Sequence, residues 1–150
     1  MILSAHFLVG AAVATKIGNP FWGAIAALLS HYFFDLFPAW EYNITNIYAR
    51  QWRKSFWDFS KVFFDIFTGV LIFLFFFKDL FLGALGGFFA MVPDALTLLM
   101  IVFEKNGVLQ WHYRIHKNFN YFKNKKIPPL LGITAEILIY LIAIFLLQQS

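Results

Sequence analysis

The chain has 150 residues, of which 61% are hydrophobic and only 13% charged, about half the charged share of an ordinary soluble domain. It has no cysteine, which excludes a disulfide framework and a thiolate metal site, so any metal centre must use His and carboxylates. The net charge of +4 sits in loops beside apolar segments, without the basic stripe and open aromatic platform of a nucleic-acid binder, and no nucleic-acid partner is expected.

Stretches such as 70–77 and 138–147 are apolar all the way round, a pattern suited to hydrocarbon rather than water. The expected fold is all-α: one domain over residues 1–150, an integral membrane bundle of about five transmembrane helices with an interfacial loop. The first helix is expected over 2–16. No Lys or Arg precedes it, so despite the Ala12-Val13-Ala14 triplet it reads as a retained helix rather than a cleaved signal. Gly18-Asn19-Pro20 makes a turn, and a second helix follows over 21–37, stopped by Pro38. Residues 39–56 mix Trp40, Tyr42, Tyr48 and Trp52 with Arg50, Arg53 and Lys54, the composition of a segment at headgroup level. The third helix is expected over 58–77, with Lys78-Asp79 as the far turn, and the fourth over 80–103. In the fourth, Gly83 and Gly87 form a small-xxx-small pair beside Gly86, suited to close helix packing. A polar, basic segment over 104–126 leads to Pro128-Pro129 and a fifth helix over 130–147.

Ten of the twelve basic residues lie in or beside the two polar segments, and only Lys16 and Lys78 mark the other side. This places the polar segments and the N-terminus in the cytoplasm and the chain in the inner (cytoplasmic) membrane as a multi-pass protein.

Along that antiparallel path, the residue types that bind metals gather at the cytoplasmic end. His6 is near the start of the first helix, His31 and Asp35 near the end of the second, and Asp65 in the second turn of the third. Asp94 lies in the latter half of the fourth helix, His112 and His116 in the loop after it, and Glu136 two turns into the fifth. His31 and Asp35 are four apart, so one helical face presents both, and His112 and His116 repeat the spacing if 110–118 is helical. Pro93 is expected to break the fourth helix just before Asp94, and Asp58 to lie behind the ligands.

Each residue alone has a plainer reading. A lone membrane His hydrogen-bonds a neighbouring helix, His112 and His116 suit an interface, Asp35 can snorkel to water, and Asp65 can pair with Lys61. Together, Asp35, Asp65, Asp94 and Glu136 at about 2.5 to 3.5 kcal/mol each would cost roughly 10 kcal/mol if deep and ionised, comparable to a domain's net stability of about 5 to 15 kcal/mol. A divalent cation offsets that cost: zinc first for His with Asp, then manganese or iron.

The run His31-Tyr32-Phe33-Phe34-Asp35-Leu36-Phe37-Pro38, with Ala5-His6-Phe7 and Gly10 before it and Pro93-Asp94 and the His112/His116 pair after it, resembles the YdjM-like family of small bacterial inner-membrane metal-dependent hydrolases. The His31 run is also similar to a segment of zinc-dependent phospholipase C and P1-type nucleases. Related sequences place a further His just after the proline, where this chain has Ala39-Trp40. The resemblance implies a hydrolase acting on a phosphate ester of a lipid or another amphiphile at the cytoplasmic face. His6, His31, Asp35, Asp65 and Asp94 would be metal ligands, and His112 or His116 would complete the shell or protonate the leaving group. Arg53 and Arg114 would steer the anionic headgroup of a phospholipid-like substrate. The alternatives are a non-catalytic structural or partner-binding membrane protein with a metal site, and a metal transporter. Transport fits less well, because the distal halves of the third and fifth helices offer no polar path.

Overall fold

The turn at Gly18-Asn19-Pro20 shows how local chemistry starts this fold. Gly18 takes a left-handed φ of 67° and caps the first helix, while the Asn19 side chain accepts from the backbone N–H groups of Phe21 and Trp22 and Pro20 opens the second. The computed structural model describes residues 1–76, 78–120 and 128–148. Its order is α1 (Leu3–Ile17), α2 (Pro20–Phe34), α3 (Thr45–Tyr48), a 3-10 turn (Trp52–Lys54), α4 (Phe56–Phe76), α5 (Leu80–Val102), α6 (Gly107–Phe119) and α7 (Pro129–Gln148). Phe77 and the basic residues Lys123, Lys125 and Lys126, used above for helix length and orientation, lie outside the described residues.

Among the described residues, α4, α5 and α7 are long and apolar enough to cross a membrane. At 20 to 23 residues each they reach about 30 Å, the hydrocarbon thickness. Their outward faces carry bare aromatic and aliphatic groups, such as Phe64 and Phe75 on α4 and Leu138 and Phe145 on α7, which suits lipid as solvent. α1 and α2 have 15 residues each, about 22 Å, so the expectation of five spans meets three helices of full length.

α1 is the hub. It packs against α2, α4, α5 and α7, and its residues from Ser4 to Ala12 are buried. Small side chains make this possible. A Cβ added at Gly10 would come 2.6 Å from the Gly86 carbonyl oxygen, and one at Gly87 2.5 Å from the Phe7 ring, so the backbones of α1 and α5 touch. The closest approach is therefore at Gly86 and Gly87 rather than at the Gly83/Gly87 pair singled out by spacing. α4 and α5, although successive, lean on α1 more than on each other.

Three expectations are corrected. The second helix ends at Phe34, not Phe37, because Pro38 disfavours helical geometry in the residue before it; the chain leaves through short turns from Leu36 to the Phe33 carbonyl and from Phe37 to that of Phe34. α5 continues unbroken through Pro93: one backbone donor, toward the Phe89 carbonyl, is lost, but the buried turn is held by the packing of α5 against α1 and α2. The interfacial segment is folded, with α3 capped by Asp58, whose carboxylate accepts from Asn46 and Ile47 N–H at 2.9 and 3.3 Å. Arg50 pairs with Glu104 and ties this segment to the start of the α5 to α6 connection.

Replacing Gly86 by Ala forces α1 and α5 apart. The expected loss is about 1 to 3 kcal/mol, read as a lower thermal midpoint in detergent; an unchanged midpoint would contradict this packing.

Candidate metal centre

Two helices, α2 and α6, deliver three electron-pair donors to a common point. His31 Nε2 and His116 Nε2 are 2.9 Å apart, His116 Nε2 is 2.9 Å from Asp35 Oδ2, and His31 Nε2 is 3.3 Å from the same oxygen. His31 and Asp35 come from consecutive turns at the end of α2, and His116 comes from the inner face of α6. All three are buried.

The other ring nitrogens have partners of their own. His31 Nδ1 is 2.7 Å from the Ala90 carbonyl oxygen, which can only accept, so Nδ1 carries the proton and Nε2 a lone pair. The Thr97 hydroxyl is 3.1 Å from the Pro93 carbonyl and 2.9 Å from His116 Nδ1; when it donates to the first and accepts from the second, His116 Nε2 likewise presents a lone pair. Two lone pairs and a carboxylate oxygen within 3.3 Å of one another repel unless a positive charge lies among them. A tetrahedral zinc with bonds of about 2.0 to 2.1 Å sets its ligand atoms about 3.3 Å apart, close to these separations. Orientation of metal-binding imidazoles by a bond from the second nitrogen is the usual support for such a site. The donor set therefore fits a divalent cation.

Around this trio, Asp94 Oδ1 is 3.8 Å from His116 Nε2, and its side chain is 28% exposed, the most open of the set. The His6 ring stacks on His31 at 3.9 Å; its Nε2 lies 3.1 Å from Asp35 Oδ1, while its buried Nδ1 has no hydrogen-bond partner. His6, His31 and Asp94 form a second group able to hold a metal, overlapping the first through His31. The Met1 amino group lies 3.3 Å from Asp35 Oδ1 and 3.0 Å from Glu41. His112 sits one turn before His116 with Nε2 3.1 Å from the Tyr32 hydroxyl. Burial, then the adjacent His116 and His31 rings, push the His112 pKa below its ordinary value.

The structure does not bring every expected residue here. Asp65 accepts from the backbone N–H of Leu3 and Ser4 at 2.8 and 3.3 Å, from the Ser4 hydroxyl, and from Tyr42 at 3.0 Å. It anchors the positive end of the α1 dipole instead of joining the trio. Burial and this carboxylate push the Tyr42 phenol well above its usual pKa. Glu136 accepts from Ile2 N–H at 3.2 Å, and Asp58 caps α3, so neither reaches the cluster. Arg53, on the 3-10 turn, and Arg114, on the outer face of α6, are exposed. Sequence reasoning missed Thr97 and Tyr32. Thr97 lies three residues after Asp94 and four after Pro93, and Tyr32 lies inside the His31 run, spacings that offered the only clues.

Asp94 and Thr97 also line a cavity of about 660 Å³ between α4 and α5, closed at one side by the start of α1 and residues 41–48. Asp94 lies eight residues before Val102, the last of α5, or about 12 Å along the axis, so the cluster is recessed from the helix end.

Against protein-family models, curated proteins and solved structures the chain finds no match.

Thr97→Val keeps the shape of the side chain but removes the acceptor for His116 Nδ1–H. Zinc affinity, titrated with a competing chelator, is expected to fall about 10- to 100-fold; unchanged affinity would remove Thr97 from the account.

Proposed function

We propose that the protein is a membrane-embedded metal-dependent hydrolase of a phosphate ester, working at the cytoplasmic face of the inner membrane. The observation that carries this reading is the convergence of His31, His116 and Asp35 beside a carboxylate, Asp94, that stays open to a cavity. Catalytic zinc sites keep three protein ligands and an open position, and a trio beside an accessible acid has that form. Zinc suits the donor set first, with manganese or iron next. The resemblance to the YdjM-like family points the same way.

A divalent cation held by the trio supplies Lewis acidity toward a phosphoryl oxygen and lowers the pKa of water toward neutrality. The chain's own groups do the rest. Asp94, at the cavity wall, can hold and orient the attacking water, and His6 braces Asp35 through Oδ1, the oxygen that His31 and His116 do not share. With His116 committed to the trio, His112 is the histidine left to exchange a proton, through the hydrogen bond it shares with Tyr32. Arg53 and Arg114, both exposed, are suited to attract an anionic headgroup to the surface rather than to grip it in the site.

In this reading α4, α5 and α7 cross the bilayer and the α1–α2 hairpin fills the bundle between them, completing five membrane helices with the N-terminus cytoplasmic and the C-terminus on the far side. The one-sided gathering of His and Asp favours hydrolysis over transport, which needs polar groups through the full thickness.

Asp94→Asn retains the three ligands of the trio. Metal content is expected to persist while phosphoester hydrolysis falls about 100-fold or more; full activity across a broad phosphoester panel would refute the mechanism.

A further inference from the structure

The cavity beside the cluster has a shape and chemistry that the cluster alone does not explain. α1 is the spacer between α4 and α5: Gly69 of α4 rests on Ser4, and Gly86 and Gly87 of α5 rest on Gly10 and Phe7. Where α1 begins, at Leu3, the spacer stops and the space between the two long helices is left to the cavity. Along α5 it runs from Phe88 to Ile101, a rise of about 20 Å. Its polar groups include Asp94 and Thr97 beside the cluster and Glu41, Tyr42 and Asn43 on the segment between α2 and α3. The remainder of its wall is almost wholly apolar, with Ile66, Phe88 and Met91 among the lining residues. A volume of about 660 Å³ falls among small-molecule sites, which span about 300 to 1,000 Å³.

A water-soluble phosphate ester has no use for such a wall. A membrane amphiphile does, because its tail already lies in hydrocarbon between helices of this length and its head carries the only polar end the cavity can match. We propose that the cavity takes one acyl chain of a lipid phosphoester and thereby sets the ester at Asp94, making the substrate class a lipid. The catalytic part of this rests on the hydrolase reading above; the binding part does not.

The test uses the full chain in phosphatidylcholine vesicles containing a trace of phosphatidic acid with a diazirine in its acyl chain. After irradiation, labels are mapped by mass spectrometry in the native protein, in Ala95→Phe, which projects a ring into the cavity, and in Leu99→Phe, which lies on α5 outside the lining. Ala95 is exposed to the cavity, so the larger ring has room to enter. Labelling is expected on Ile66 and on 88–101, to be displaced by unlabelled phosphatidic acid, and to drop about tenfold in Ala95→Phe, the effect of excluding about two methylenes. Leu99→Phe is expected to label as the native chain does. Labels spread evenly over the lipid-facing surfaces of α4 and α7, indifferent to Ala95→Phe, would overturn the proposal. Hydrolysis is measured on the same samples. Cavity labelling without turnover would uphold the acyl-chain site and sink the hydrolase reading; turnover of p-nitrophenyl phosphate without cavity labelling would do the reverse.

Discussion

Two imidazole nitrogens and a carboxylate oxygen held at contact in a buried space form an arrangement that repels itself unless a proton or a metal cation lies among them. The surrounding fold is organised to hold that arrangement. α2 supplies two of the three donors because four residues make one helical turn, α6 supplies the third from its inner face, and α5 fixes both imidazoles through the Ala90 carbonyl and the Thr97 hydroxyl. A single proton on His116 Nε2 is shared between two acceptors, Asp35 Oδ2 and His31 Nε2, each 2.9 Å away, whereas a divalent cation satisfies all three donors at once. The trio also joins α6 to the bundle, so a purely structural role for the same metal predicts the same ligands and differs only in turnover.

The second constraint is the thickness of α1. Its Ala and Gly residues let α5 approach to backbone contact, and its start is pinned by a separate set of groups: Asp65 and Glu136 accept from its first N–H groups, and Tyr42 and Ser4 complete the shell around Asp65. This fixes the height of His6 against His31 and the point at which the space between α4 and α5 opens. Acids that look equivalent in composition thus divide into two jobs. Asp35 and Asp94 serve the cluster, while Asp65 and Glu136 serve the helix that positions it.

That division marks the limit of what the sequence discloses. The long apolar runs of α4, α5 and α7 are legible because lipid demands apolar side chains on every face, and the His31/Asp35 and His112/His116 spacings are legible because helical geometry fixes them. Which of several acids meets which histidine depends on how far α1 is slid along α4 and α5, and no periodicity encodes that register. The Ala90 carbonyl is invisible in a sequence since every residue has one. Pro93 is deceptive for a related reason: its missing donor weakens an isolated helix, but packing against α1 and α2 keeps the turn intact. The apolar run of α1 has a second cause that hydropathy does not separate from lipid: protein surrounds it, with α2, α4, α5 and α7 packed against it.

The account stands or falls on whether the trio binds a metal. The most direct measurement is elemental analysis of the detergent-purified chain after incubation with zinc and removal of excess, beside His116→Ala and His112→Ala. The account predicts about one tightly held equivalent in the native chain and in His112→Ala, and loss of it in His116→Ala. A native chain as free of metal as His116→Ala would mean that the cluster is a proton-linked hydrogen-bond network, and would contradict the central claim.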